Sequence, residues 1–160
     1  MHPFYKLILP LATLLAVNAC SNDTDSTTEQ PSTSTVTPAT SIPGRWYTEE
    51  QVAAGKHLFQ LHCSTCHGSN AQSIPDWKKP GSNGMYPPPP LNGTAHAWHH
   101  SLNLLRKTVR EGGVRLGGQM PGFADKLKPQ EIDAILAWVQ TLWTEQIYQA
   151  WLTRSGLIKR

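Results

Sequence analysis

Apolar and polar positions along the chain recur with a helical period. Ile132, Ile135, Leu136, Val139 and Leu142 stand at i, i+3, i+4, i+7 and i+10, behind Pro129 at N1 and Glu131 at N3. That stripe predicts one helix. From about Thr48 to His62 a second is predicted, with Thr48 as N-cap, Glu49 and Glu50 in the first turn, and Val52, Gly55 and Phe59 on one face. A third runs over Leu102 to Glu111, with Ser101 as cap, Leu105, Thr108 and Val109 in helical spacing, and Gly112-Gly113 as its stop. From about residue 144 the chain continues helically through Ile147, Trp151 and Leu152, either packing over the domain or meeting a partner. No segment alternates as a strand does, so the expected class is all-α. Residues 68–93 are rich in proline and glycine and carry no period, and a loop of that length in a small domain usually wraps something.

The N-terminal end has a different pattern. Lys6 followed by an apolar run from Leu7 to Val17 reads as an export signal over residues 1–19, with too few apolar residues to cross a bilayer comfortably. "LAVNAC" then resembles a bacterial lipobox, which implies cleavage before Cys20 and acylation of its thiol. Ser21 follows, where aspartate commonly retains lipoproteins in the inner membrane, and so favours the outer membrane. Residues 21–44 contain twelve Ser or Thr in twenty-four positions and almost nothing to fill a core. With Cys20 they are expected to form a disordered tether spanning about 27 Å, which would hold a folded domain at residues 45–160 away from a lipid surface on the periplasmic side.

Composition narrows the class. At 160 residues, 39% hydrophobic and 16% charged, the chain suits one modest domain. From Arg45 onward thirteen Lys or Arg face eight Asp or Glu, a net charge of +5 that would steer encounter with an acidic protein partner. The cations form no stripe of the kind that binds nucleic acid, and none is expected to be bound.

The chemistry is concentrated in "LHCSTCHGSN", residues 61–70, where Cys63, Cys66 and His67 form C-x-x-C-H. This is the attachment signature for c-type haem: both thiols reach one porphyrin edge while the next imidazole binds iron. A zinc site lacks a second Cys pair, and a thioredoxin-like redox pair lacks its βαβ setting. A disulfide would give His67 no role. The sixth iron position has Met120, Met85 and several histidines as candidates. Met120 is preferred because "GGQMPGF" sets it in a Gly- and Pro-rich turn rather than a helix interior; Met85, also in a loop, is the alternative.

The segment from about Thr48 to Trp143 resembles a class I cytochrome c. Cys63 to His67 match the haem-binding motif, and Met120-Pro121-Gly122-Phe123 match the M-P-x-F ligand loop. Gly55 and Phe59, with Trp138 where the family more often has tyrosine or phenylalanine, match its crossed terminal helices. The resemblance implies the class I cytochrome c fold: three main helices and long irregular loops wrapped around one covalently bound haem c. It implies His67 and Met120 as axial ligands and Phe123 beside the haem. It also implies that a carbonyl in the Pro87 to Pro90 stretch, with Pro89 among the pocket residues, accepts a bond from the proximal imidazole. "TAHAWHHSLNLL" resembles a pattern of longer bacterial monohaem cytochromes. There Trp98 or a histidine would bond a haem propionate, or His99 or His100 would bind a second metal or replace Met120; a polar helix entry with one buried tryptophan is the plainer expectation for His96, Trp98, His99 and His100. The implied function is electron transfer between periplasmic or membrane redox proteins, without catalysis and without a small-molecule substrate. A haem-bearing subunit of a dehydrogenase complex, or a haem sensor or peroxidase, are the alternatives.

Overall fold

The computed structural model describes residues 39–157, so the expected signal peptide and Cys20 lie outside the described residues. Five helices follow in order: α1 Glu49–His62, α2 Ser64–His67, α3 Leu102–Glu111, α4 Pro129–Thr141 and α5 Glu145–Arg154. Two isolated β-bridges, Ser41 with Thr48 and Tyr86 with Gly118, are the extended pairings among the described residues. The all-α expectation holds among the described residues.

Local chemistry sets the helix starts. At α1 the Thr48 hydroxyl accepts from the Gln51 N–H at 3.3 Å while the Gln51 carboxamide accepts from the Thr48 N–H at 2.9 Å, a reciprocal cap. At α3 the Ser101 hydroxyl accepts from the Leu104 N–H at 3.3 Å. At α4 Pro129 opens the helix and Glu131 accepts from the Lys128 N–H at 2.7 Å.

The core forms where α1 and α4 meet. A Cβ on Gly55 would lie 1.8 Å from the Ala134 carbonyl oxygen, so only a residue without a side chain lets the two backbones approach this closely. One turn later Phe59 packs on Trp138 with ring centroids 4.4 Å apart. Both rings are buried, each contributing about 2–3 kcal/mol from burial. Trp138 takes the place of the smaller aromatic in this contact without changing the fold. Helix α3 joins α4 through a bidentate pair, Arg106 Nε to Asp133 Oδ1 at 2.6 Å and Nη2 to Oδ2 at 2.9 Å.

Beyond the three main helices the structure adds α5, which does not continue α4. The chain breaks at Leu142 to Thr144, and the Thr144 hydroxyl caps a new start by accepting from the Ile147 N–H at 3.3 Å. Tyr148, Trp151 and Leu152 are buried, so the extension packs onto its own domain. Much of the surface it covers is the chain's first described segment. Arg45 pairs with Glu145 and lies 3.7 Å from the Tyr148 ring centroid; Tyr47 is buried against Tyr148 at 6.3 Å. Thr40 donates its N–H to the Glu50 carboxylate, so residues 40–44, expected within the tether, are held to the folded body.

Candidate haem site

Helix α1 delivers the motif. After His62 the chain re-enters a single turn, α2, in which the Cys66 and His67 N–H groups both donate to the Cys63 carbonyl, at 3.1 and 2.9 Å. Gly68, at φ 78°, ends it. Spacings of three and four residues put Cys66 and His67 on the side of the turn that carries Cys63. No disulfide joins the cysteines: Cys63 is buried and Cys66 exposed. Burial, reinforced by the neighbouring Cys66, pushes the Cys63 thiol up to about 11.

His67 is buried, and its Nδ1 lies 2.9 Å from the Pro89 carbonyl oxygen. A carbonyl can only accept, so Nδ1 carries the proton and Nε2 keeps its lone pair free. Burial holds the imidazole below its ordinary pKa, opposed by that same hydrogen bond, which favours the neutral form a metal requires. The loop over residues 68–93 is built to present this carbonyl. Ser73 donates its N–H to the His67 carbonyl at 2.7 Å and its hydroxyl to Pro88, and Leu91 donates to the Ala71 carbonyl at 2.8 Å. Ala71 and Ser73 both adopt left-handed φ, 54° and 57°, a local cost held in place by these bonds. Trp143 supports the loop from the break between α4 and α5, its indole N–H donating to the Leu91 carbonyl at 2.8 Å.

A second loop carries Met120. It folds back onto the open carbonyls at the end of α3, with Phe123 N–H on Val109 O and Ala124 N–H on Arg110 O, each at 3.1 Å, while Gly113 N–H reaches Met120 O at 2.9 Å. The approach demands glycine. Gly112 stands at φ 84°, and a Cβ there would lie 2.7 Å from the Met120 carbonyl.

A cavity of about 520 Å³ is lined by Cys63, His67 and Pro89, by Met120 and Gly118, and by apolar residues such as Leu105 and Ile135. The cavity sorts the expected site residues. Cys63, His67, Pro89 and Met120 line it; Met85 does not, and its loop is a tight turn in which Met85 N–H donates to Asn83 Oδ1 at 3.0 Å. Phe123 and Trp98, expected in the pocket, lie outside its lining. Phe123 is buried beneath the ligand loop, edge-on to His62 at 6.4 Å, and Trp98 turns towards His99, 3.9 Å away. His96 and His100 line the cavity and His99 does not. Among the described residues no group of three or more His, Cys, Asp or Glu could hold a metal ion, which leaves the reading of a second metal at these histidines without support. Sequence reasoning missed Trp143, Gln140, Tyr86 and Leu104 as lining residues. Two left a signal: Trp143 carries an indole N–H that needs an acceptor, and Gln140 is a polar residue inside the apolar stripe of α4.

An apolar cavity lined by His67, Met120 and Cys63, with the exposed Cys66 completing the C-x-x-C-H turn, fits haem c and defines the class as a c-type haem protein. The chain belongs to the cytochrome c family, whose sequence model matches residues 52–143. The domain is thus of the haem-bearing, electron-transferring class and takes one covalently bound haem c. The chain is 30% identical over 111 residues to the Cbb3-type cytochrome c oxidase subunit FixP of Sinorhizobium medicae (strain WSM419), a match covering 66% of this chain and 34% of that one. It is 32% identical over 92 residues to quinohemoprotein alcohol dehydrogenase ADH IIB of Pseudomonas putida, covering 58% of this chain and 11% of that one. The crystal structure of cytochrome CL from the marine methylotroph Methylophaga aminisulfidivorans MPT matches with a TM-score of 0.47 at 26% identity, covering 69% of this chain and 67% of that one. The chain spans about a third or less of the length of the curated relatives named here.

Proposed function

We propose that the protein is a monohaem electron carrier in which Cys63 and Cys66 form the thioether bonds, His67 and Met120 take the two axial positions, and electrons pass between periplasmic or membrane redox proteins. Haem c supplies a one-electron ferric/ferrous couple. The single observation that carries the reading is that a pre-oriented His67 imidazole and Met120 line one and the same cavity. The Pro89 carbonyl fixes the His67 tautomer and raises its basicity as a ligand. With His67 and Met120 both holding the iron, no position would be open to a substrate, and little rearrangement of this chain would accompany a change of charge. A thioether ligand favours the reduced state over a second imidazole, and the apolar walls add to that preference.

The export signal and Cys20 suggest that the domain faces the periplasm on a lipid anchor, with the outer membrane favoured by Ser21. Among the described residues no helix is long and apolar enough to cross a membrane. A second reading, a haem-bearing subunit that relays electrons from or to a larger oxidoreductase, is favoured by relatives whose names are those of an oxidase subunit and a dehydrogenase.

The deciding experiment uses the holoprotein matured in a host with haem c assembly machinery. The near-infrared charge-transfer band of thioether-bound ferric iron is expected in the native protein and absent in Met120→Ala. Its absence from both would return the site to a sensor or peroxidase. Intact mass is expected to show diacylglycerol on Cys20, and an unlipidated mature chain would remove the anchor.

A further inference from the structure

Apart from the attachment turn, the titratable side chains lining the cavity are Lys78, Tyr86, His96 and His100, and two of these form one cluster. The His96 and His100 rings meet edge to face at 5.4 Å, and Trp77 stacks on His96 at 6.1 Å. His96 is exposed and His100 half-buried, so the pair runs from solvent to the cavity wall. The main chain at His100 is fixed: its carbonyl accepts the Trp151 indole N–H at 2.9 Å and its N–H donates to Ala97 O at 3.1 Å. The electron-transfer reading accounts for none of this.

We propose that His100, with His96 beside it, is a proton-accepting site on the wall of the haem cavity, so that each reduction is accompanied by proton uptake and each oxidation by release. The inference rests on the haem reading above. The electron comes from the redox partner and lowers the positive charge at the iron by one; the proton comes from bulk water and forms an N–H bond at the unprotonated ring nitrogen of His100. Reoxidation reverses both steps. A unit of charge inside an apolar cavity acts on a wall imidazole far more strongly than in water. The titratable neighbours of His100 are His96 and His99 from its own turn; Lys78, from the loop over residues 68–93, lines the same cavity, and Arg154 of α5 has its guanidinium 6.0 Å from the Trp98 ring centroid. Asp76, on the same loop as Lys78, is engaged by Lys79 at 2.9 Å. Burial, then His96 and His99, hold the His100 imidazole below its ordinary range. An added electron opposes all of these.

The test is the midpoint potential of the holoprotein against pH, from about pH 4 to about pH 8, spanning the imidazole range. A proton bound more tightly in the reduced state makes the potential step downward as pH rises, and His100→Asn is expected to flatten that step. In the native protein the His100 ring resonances should titrate at higher pH in the ferrous than in the ferric state, a readout that needs no variant. A step unchanged in His100→Asn, or equal titration in the two states, overturns the proposal. Coloured protein with the thioether band but a flat potential sinks this inference alone; colourless protein sinks the haem reading with it.

Discussion

Gly55 shows how narrowly one residue can set this structure. Its missing side chain is the space through which the Ala134 carbonyl passes, and Gly55→Ala would force α1 and α4 apart just where Phe59 and Trp138 interlock. We expect a loss of about 1–3 kcal/mol or more in guanidinium unfolding of the holoprotein; an unchanged midpoint would mean the helices can slide without cost. This contact was legible in the sequence because Gly55 and Phe59 stand four apart on one face and, with Trp138, resemble the crossed terminal helices of the family. That His67 and Met120 line the cavity was legible for a related reason, since a motif and a turn rich in glycine leave few alternatives. Trp98 and Phe123 were not. A tryptophan in a short turn or an aromatic after a proline announces burial but not direction, and direction is set here by α5 and by the end of α3, neither of which is a local property.

At the scale of elements, periodicity located α1, α3 and α4 to within a residue or so, because each has a cap and a stop that act within a few positions. The break before α5 was harder to read. Ile147, Trp151 and Leu152 keep a helical period with the preceding stripe, and only the Thr144 hydroxyl on the Ile147 N–H marks a new beginning. Whether that helix packed at home or waited for a partner depended on Arg45, Tyr47 and Glu145, a hundred residues apart in the chain. Its tie to the haem side of the molecule is the Trp151 indole N–H on the His100 carbonyl. Trp151→Phe keeps most of the packing and removes that donor, and should cost about 1–3 kcal/mol in chemical denaturation because a buried carbonyl is left without a partner. A cost within error would show that water reaches the site.

At the scale of the described domain, helices pack on one another at the α1–α4 contact, and helices and loops together line a cavity beside it. The cavity of about 520 Å³ is lined by both His67 and Met120, and its apolar lining gains from burial only when something apolar fills it. Covalent attachment and two iron ligands would then contribute directly to folding. The apo chain, made as Cys63→Ala with Cys66→Ala in the same host, is expected to lose most of its helical circular dichroism and to unfold without a cooperative transition. A native-like apo spectrum would mean that the α1–α4 contact holds the fold unaided. The pairing of Arg45 with Glu145 and of Tyr47 with Tyr148 has one more consequence. Where the opening and closing stretches of a domain clasp each other, a neighbouring polypeptide can be joined on that flank without disturbing the opposite one, and such a unit is readily spliced into larger assemblies as a cartridge.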